Sequence, residues 1–258
     1  MAHTVAVIPA HNEALTIHDI VAATSHLVDA VIVIDDGSTD GTSDALSGLD
    51  VRLVRHTRNA GKGERLAEGL EAAFEDGATQ VLTLDADGQH DPLNIPAFLA
   101  CAKQHPGAFI LGDRSADFGN MPRSRALGNG LGSFFVGWAC ARKLKDAQCG
   151  MRMYPLEVWR SIHVPSKYID GFLFETAVLL YAADADVTFA TIPIASRYEG
   201  YVQRPSHFNR VSDFLKIAAL VTRFLFSHRL RLSGLFIAFG LAADPRTRAH
   251  RSIKPCQN

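Results

Sequence analysis

Two aspartates separated by one alanine are the residues of this chain best placed to do chemistry. Asp85 and Asp87 follow the apolar run 81–84, and Gly88 then permits a sharp turn. Alternation along an extended strand points both carboxylates the same way, and such a pair is costly unless a cation lies between the charges. Oxygen ligands favour Mg²⁺ or Mn²⁺, which often bridge carboxylates to substrate phosphates. Alone, this pattern is more often an acidic turn after a core strand, so the rest of the chain must decide.

The elements that hold this pair alternate between strand and helix. The pattern predicts strands at residues 4–8, 30–34, 51–55, 80–84 and 108–111, and helices at 13–27, 39–46, 62–74 and 92–103. Alternation at these lengths predicts an α/β fold with a mostly parallel sheet and right-handed crossovers. Ligands in such sheets bind at the carboxyl ends of the strands.

The pattern changes after residue 120. It predicts helices at residues 124–144, 154–162, 172–183 and 209–228 and a strand at 187–192. The apolar run 230–243 is shorter than the roughly 18–20 residues that cross a bilayer, so it predicts a buried or interfacial amphipathic helix. We therefore expect a catalytic domain at residues 1–228, followed by an apolar helix and polar tail at 229–258.

Polar clusters follow four of the predicted strands. They are P-A-H-N-E at 9–13, D-D-G-S-T-D-G-T at 35–42, N-A-G-K-G at 59–63 and D-A-D-G-Q-H-D-P at 85–92. Each has an ordinary explanation as a cap or turn, but together they predict a rim of carboxylates, one lysine and amide donors that suits a nucleoside diphosphate and a metal. No G-x-G-x-x-G follows the first strand, which argues against a dinucleotide oxidoreductase.

In this order and at these intervals, the four clusters resemble the family 2 glycosyltransferases of the GT-A fold. The dolichyl- or polyprenyl-phosphate sugar synthase branch is the most similar part of that family. The resemblance covers about residues 4–228, and G-D-R at 112–114 and D-A-Q-C-G-M-R-M-Y at 146–154 support it.

The resemblance implies roles for individual residues. Nucleotide-sugar binding would fall to Pro9, His11, Glu13, Ile34, Asp36, Lys62, Asp85, Ala86, Asp87, Arg114, Arg197 and His207. Metal binding would fall to Asp85, Asp87 and Gln89, and catalysis to Asp87, Asp146, Arg152, Asp170 and Glu175. Positions 11 and 207 depart from the family pattern, because histidine replaces a common aromatic residue at the first and a common lysine at the second.

The reaction expected from this resemblance is metal-dependent transfer of a hexose from a GDP-mannose or UDP-glucose type donor to a polyprenyl or dolichyl phosphate. A lipid phosphate is already an anion and needs no general base, whereas an alcohol on a lipid, pigment or glycan needs one, with Asp170 or Glu175 as candidates. Direct displacement would invert the anomeric centre. A non-catalytic nucleotide-sugar-binding protein remains a further alternative.

The charge distribution and cysteines predict where the protein acts. Residues 1–196 carry a net charge of −9 and residues 197–258 one of +8, so the second segment suits phosphates or a lipid surface. The four cysteines are widely spaced and form no C-x-x-C motif, which suggests a reducing compartment. No signal peptide pattern precedes the first strand. We expect a cytoplasmic protein bound peripherally to the inner membrane face, with no nucleic acid partner.

Overall fold

One seven-stranded sheet lies at the centre of the described chain, which in this computed structural model comprises residues 2–116, 123–195 and 212–244. The strands are β1 (Thr4–Ala10), β2 (Ala30–Asp35), β3 (Arg52–Arg55), β4 (Gln80–Thr83), β5 (Phe109–Asp113), β6 (Arg152–Pro155) and β7 (Phe189–Pro193). Their order is β3-β2-β1-β4-β6-β5-β7, and β6 alone of these runs antiparallel to its neighbours. The predicted α/β plan with a mostly parallel sheet is therefore confirmed.

Helices cover both faces of this sheet. They are α1 (Ile17–Ser25), α2 (Lys62–Glu75), α3 (Ile95–Gln104), α4 (Arg123–Cys140), α5 (Leu156–Ser161), α6 (Leu173–Asp184), α7 (Ser212–Ser227) and α8 (Leu232–Ala238), with short 3₁₀ turns at Asp44–Leu46, Pro92–Asn94, Ser166–Tyr168 and Arg229–Arg231. Side chains alternate across β1, so Val7 packs into the core with α2 and α6, whereas Ile8 packs with α1 and α3. Every residue of β1 is buried, as expected of a central parallel strand.

The helix predicted at residues 39–46 is wrong except for its last turn, Asp44–Leu46. Side chains here bond to nearby groups instead of leaving the backbone to form a helix. Thr42 donates both its amide and its hydroxyl to the Asp40 carboxylate, and the Ser43 hydroxyl donates to Asp35. Such local bonds compete with a helical ladder.

The helix predicted at residues 154–162 begins with a strand instead. Tyr154 belongs to β6 and packs its ring 4.7 Å from the ring of Phe109. The residue before a proline is disfavoured in helical conformation, so Pro155 holds Tyr154 extended and the helix begins only at Leu156.

The apolar run 230–243 forms a short helix that lies against the domain. Only Leu232–Ala238 is α-helical, and its Gly234 packs against the backbone of α4, where an added Cβ would lie 2.4 Å from the Trp138 carbonyl oxygen. Among the helices of the described residues, none has the length and hydropathy needed to cross a membrane. The division at residues 228 and 229 remains a prediction.

The cysteines within the described residues are all buried, namely Cys101, Cys140 and Cys149. Cys140 and Cys149 are free thiols. The expectation of a reducing compartment stays a prediction.

Candidate active site

The predicted polar clusters meet where β2, β1 and β4 end side by side. His11 Nδ1 lies 2.8 Å from the backbone oxygen of Asp36, which joins the ends of β1 and β2. The Thr16 hydroxyl donates to the backbone oxygen of Ala86 at 2.7 Å, and it lies 3.3 Å from Glu13 Oε2, which joins the ends of β1 and β4. Parallel strands thus place distant sequence segments around one cleft.

Asp85 is held by a buried lysine. Lys62 Nζ lies 2.6 Å from Asp85 Oδ1 and 3.1 Å from Glu175 Oε2, and it also lies over the ring of Phe172. Burial raises the pKa of Asp85, but the neighbouring positive groups together, with the Lys62 charge the largest of them, outweigh burial and lower the pKa to about 2. Burial lowers the pKa of Lys62, yet Asp85 and Glu175 together raise it above its ordinary value. Lys62 and Asp85 are therefore both ionised at neutral pH.

Gly63 allows this contact to form. An added Cβ at Gly63 would lie 2.1 Å from the Ile169 carbonyl oxygen and 2.5 Å from that of Gly171. The start of α2 therefore presses directly against the segment that leads into α6. This close approach brings Lys62 of α2 within reach of Glu175 of α6, which explains the glycine after the lysine in N-A-G-K-G.

Among the acidic groups of the described residues, Asp87 has a clearly raised pKa. Its Oδ1 accepts a bond from the Gln89 amide at 2.9 Å. Burial and the neighbouring Asp85 charge raise the pKa of Asp87 to about 6. A bound cation would stabilise the ionised form of this carboxylate.

The Asp36 carboxylate accepts three hydrogen bonds from the chain itself. Its Oδ1 accepts from the amide of Ala60 at 2.8 Å and from Arg65 Nε at 2.7 Å, and its Oδ2 accepts from the amide of Gly61 at 2.8 Å. Burial raises the pKa of Asp36, but these donors lower it overall. The carboxylate thus positions the loop before α2, and its expected role in nucleotide binding stays a prediction.

Sequence reasoning missed Arg65 and His90. Arg65 lies with Leu66, Gly69 and Leu70 on the buried face of α2, so helical spacing offered a signal for it. His90 is buried, and its Nδ1 accepts from the Asp85 amide at 3.1 Å. Burial lowers the pKa of His90 to about 4, so the ring is neutral and orients the acidic loop.

Arg114 and Asp146 form a buried pair at the edge of the site. Arg114 donates through Nε at 2.7 Å and through a terminal nitrogen at 3.1 Å to the two oxygens of Asp146. The Arg114 charge also lowers the pKa of Asp85 and Asp87, so it lies within electrostatic reach of both. Asp146 therefore orients Arg114, and its expected part in catalysis stays a prediction.

Arg152 and Ile34 are buried in the interior. Arg152 is 1% exposed and donates to the carbonyl oxygens of Cys149, Glu175 and Ala147 at 2.7–3.0 Å. It joins the loop before β6 to α6. The Ile34 side chain is fully buried in the core. Their roles in catalysis and nucleotide binding stay predictions.

The remaining predicted residues fall in three places. Pro9 and Ala86 are buried at the ends of β1 and β4. Asp170 is exposed and pairs with Lys216 of α7. Arg197 and His207 lie outside the described residues.

The donor set at Asp87 suits a hard divalent cation. Within the described ranges, no three or more histidines, cysteines or acidic residues are grouped as a metal site. Mg²⁺ is usually held by one or two carboxylates while water and substrate phosphates complete its shell. Asp87 with the side-chain oxygen of Gln89 fits that pattern, whereas Asp85 already bonds Lys62. The roles of Asp85, Asp87 and Gln89 as ligands stay predictions.

Comparison with known proteins identifies the family. The model of Glycosyl transferase family 2 matches residues 5–159. The chain belongs to this family. The predicted family and the prediction of a glycosyltransferase enzyme are both confirmed.

Named relatives share most of the length of this glycosyltransferase. The UDP-N-acetylglucosamine–dolichyl-phosphate N-acetylglucosaminyltransferase of Methanococcus voltae is 28% identical over 76% of this chain and 86% of its own. The undecaprenyl-phosphate mannosyltransferase of Micrococcus luteus is 26% identical over 91% of this chain and 98% of its own. The similarity to this branch of the family is confirmed.

Solved structures support the fold. Glucosyl-3-phosphoglycerate synthase from Mycobacterium tuberculosis, in complex with Mn²⁺, UDP and glucosyl-3-phosphoglycerate, superposes with a TM-score of 0.58 at 21% identity. The match covers 88% of this glycosyltransferase and 79% of that chain. The predicted GT-A fold is confirmed.

Proposed function

We propose that this glycosyltransferase transfers a hexose from a nucleoside-diphosphate sugar to a polyprenyl or dolichyl phosphate at a membrane surface, with Mg²⁺ or Mn²⁺ bound at Asp87. The main observation behind this proposal is the raised pKa of Asp87. Burial and Asp85 raise its pKa to about 6, so an ionised Asp87 is most stable beside a cation. The Mn²⁺ and UDP in the tuberculosis synthase support this donor chemistry.

The residues around the donor would have separate roles. Asp87 and Gln89 would hold the divalent ion, which as a Lewis acid offsets the charge that develops on the leaving diphosphate. Arg114, oriented by Asp146, would add a second positive charge. Lys62 would fix Asp85, so that the acidic loop keeps its shape as the donor enters.

The acceptor proposal rests on the state of the candidate bases. Glu175 is buried and paired with Lys62, and Asp146 is bonded to Arg114 at both oxygens. An acceptor that is already ionised needs neither. The two relatives named above are described as acting on dolichyl phosphate and undecaprenyl phosphate, which supports the same acceptor class here.

One observation favours a second candidate. Asp170 is exposed and belongs to the segment that packs against the start of α2, beside Lys62. If the acceptor is a hydroxyl group, Asp170 is the predicted residue that stays open to solvent to act as its base. Inversion at the anomeric carbon and action at the cytoplasmic face are parts of the main proposal that the resemblance implies.

A transfer assay with paired acceptors tests this proposal. UDP-glucose, UDP-N-acetylglucosamine and GDP-mannose are each incubated with Mn²⁺ or Mg²⁺ and either a polyprenyl phosphate or the matching polyprenol. We expect an acid-labile glycosyl phosphate from one donor, with inverted anomeric configuration by NMR and no product in EDTA. Asp87→Asn should lower turnover at least about 100-fold, the scale of losing one transition-state charge contact.

Three results would count against it. Equal transfer to the polyprenol would move the acceptor to the hydroxyl class and assign the base role to Asp170. Full activity in EDTA would show that Asp87 does not bind a metal ion that transfer requires. Donor binding without turnover on any acceptor would favour a nucleotide-sugar-binding protein.

A further inference from the structure

Two helices of the described chain present a shared apolar face to solvent. On α4 the exposed side chains Leu127, Leu131 and Phe135 follow helical spacing along one face. On α8 the exposed side chains Leu232 and Phe236 do the same, and Phe239 continues them beyond its last turn. We refer to these six side chains as the α4–α8 surface.

Contacts between the helices make this surface continuous. Gly234 brings α8 directly against the backbone of α4 at Trp138, whose ring nitrogen donates to the Leu230 carbonyl oxygen at 2.9 Å. The ring of Phe134 lies 4.8 Å from that of Phe239 and 5.5 Å from that of Phe135. The two apolar faces therefore join through an aromatic cluster.

The two helices of this surface carry no acidic side chain. Residues 123–140 and 232–243 contain no aspartate or glutamate. Lys143 and Lys145 are exposed after α4, and Lys143 Nζ lies 3.2 Å from the point where a Cβ on Gly240 would be, just beyond α8. An apolar face with a basic edge matches the acyl and headgroup layers of an anionic bilayer.

The opposite side of α4 contacts the active site. The Ser133 hydroxyl accepts a bond from the Ala147 amide at 2.9 Å, next to Asp146 and Gln148. A Cβ on Gly132 would lie 3.6 Å from Gln148 Nε2. One helix thus joins the apolar face to the loop that orients Arg114.

We propose that the α4–α8 surface docks on an anionic phospholipid bilayer, with Lys143 and Lys145 at the headgroups and the six apolar side chains in the interfacial layer. This inference rests on the proposed function, because it names the face through which the enzyme meets a lipid-borne acceptor.

Vesicle co-sedimentation of the full chain tests the docking face. We expect binding to vesicles of phosphatidylcholine mixed with phosphatidylglycerol, and weaker binding at high salt. Leu232→Ser with Phe236→Ser should lower the partition coefficient roughly tenfold, because half-buried apolar side chains are lost from the interface. Lys143→Ser with Lys145→Ser should lower it roughly 30-fold at low salt, since each lysine near an anionic surface contributes about 1 kcal/mol.

A control replaces two leucines that are more exposed and lie elsewhere. Leu15 and Leu93 are 77% and 73% exposed, and they precede α1 and α3 on the other face of the sheet. Leu15→Ser with Leu93→Ser should leave vesicle binding unchanged. Thermal unfolding checks that all variants remain folded.

Several outcomes would overturn the proposal. One is unchanged vesicle binding of the Leu232→Ser with Phe236→Ser variant, and another is equal loss in the control. Absence of vesicle binding by the full chain would also overturn it. So would light scattering that shows a dimer in the parent and a monomer in that variant with equal vesicle binding, because the surface would then join two copies.

Failure of this inference is separable from failure of the proposed function. Transfer to a short-chain isoprenyl phosphate, measured without vesicles, should be unchanged by Leu232→Ser with Phe236→Ser. If transfer persists and Leu232→Ser with Phe236→Ser leaves vesicle binding unchanged, only the proposed docking surface is rejected. If the parent binds vesicles but transfers no sugar, the proposed reaction is rejected instead.

Discussion

Lys62 lies between two acidic side chains that sequence alone assigned to other tasks. Its ammonium group is 2.6 Å from Asp85 and 3.1 Å from Glu175, and all three side chains are largely buried. Removal of one member of a buried ion pair is far more costly than its net contribution suggests, because the partner stays charged and unsolvated. Lys62 therefore positions the acidic loop.

Replacement of Lys62 tests this role. We expect Lys62→Met to lower the free energy of unfolding by about 3–5 kcal/mol, because Asp85 and Glu175 then repel each other without a counter-charge. Urea unfolding at neutral pH measures the change.

The matched control is Lys62→Met combined with Glu175→Gln. This double variant removes one of the two stranded charges, so it should be more stable than the sum of the single changes implies, with an interaction of at least about 1 kcal/mol. Strict additivity in the double-mutant cycle would show that the three groups do not act together.

At the scale of elements, the loop before β6 decides how closely the acidic residues approach one another. Gly150 lies against the Asp85 carboxylate and the Lys62 ammonium, and Arg152 holds the loop through two of its carbonyl oxygens and joins it to α6 through a third. The antiparallel strand β6 thus brings a segment from late in the chain beside the end of β4.

A methyl group at Gly150 should disturb this arrangement. In Gly150→Ala the new Cβ would lie 2.8 Å from Asp85 Oδ2 and 3.0 Å from Lys62 Nζ, so one of these groups must move. We expect a stability loss of about 1–3 kcal/mol, typical of overpacking. We also expect at least about a tenfold rise in KM for the donor in steady-state kinetics, since a displacement of this size costs roughly 1 kcal/mol or more of positioning.

Gly128 supplies the control for that variant. It lies in α4 with no atom within 4 Å of an added Cβ. Gly128→Ala should leave KM unchanged and raise stability by up to about 1 kcal/mol, because alanine favours a helix. An equal KM for the donor in the two variants would show that the close contacts of Gly150 do not position the donor site.

The helix predicted at residues 154–162 overlaps the end of β6 and shows how tertiary contacts override a local pattern. Residues 154–162 have helical spacing, but Tyr154 is buried against Phe109 and pairs with Val81 of β4. Residues 152–155 form a strand because they pair with both β4 and β5. Both partners are distant from them in the sequence.

For the molecule as a whole, buried ionisable groups link stability to pH. His90 has a pKa of about 4 in the folded protein, below its ordinary 6.5, because burial disfavours the charged ring. The unfolded chain therefore takes up a proton first. The stability from a neutral His90 is complete above pH 6.5 and is lost as pH falls toward 4, by up to about 3 kcal/mol. Asp87, whose pKa is raised to about 6, acts in the opposite direction over an overlapping range.

Replacement of His90 by asparagine separates these effects. The asparagine oxygen can still accept from the Asp85 amide, but it takes up no proton in this range. We expect the unfolding free energy of His90→Asn to fall less than that of the parent between pH 6.5 and pH 4, measured by urea titration at several pH values. Identical slopes would mean that His90 is not the responsible group.

The sequence by itself determined the α/β plan, the family and the acidic loop. Each of these depends on local periodicity, or on residue types that follow strand ends in a fixed order. It also predicted Asp85 and Asp87 as neighbours, since they are two residues apart.

Only the tertiary structure decided what each charge faces. Lys62, Asp85 and Glu175 come from three separate elements, and Arg65 binds Asp36 across 29 residues of chain. The state of a buried charge depends on distance and desolvation, which no sequence interval specifies. For that reason the sequence could not show that Asp36, Asp146 and Arg152 bond to other groups of the protein, or that Asp87 keeps a charge that a bound cation would neutralise.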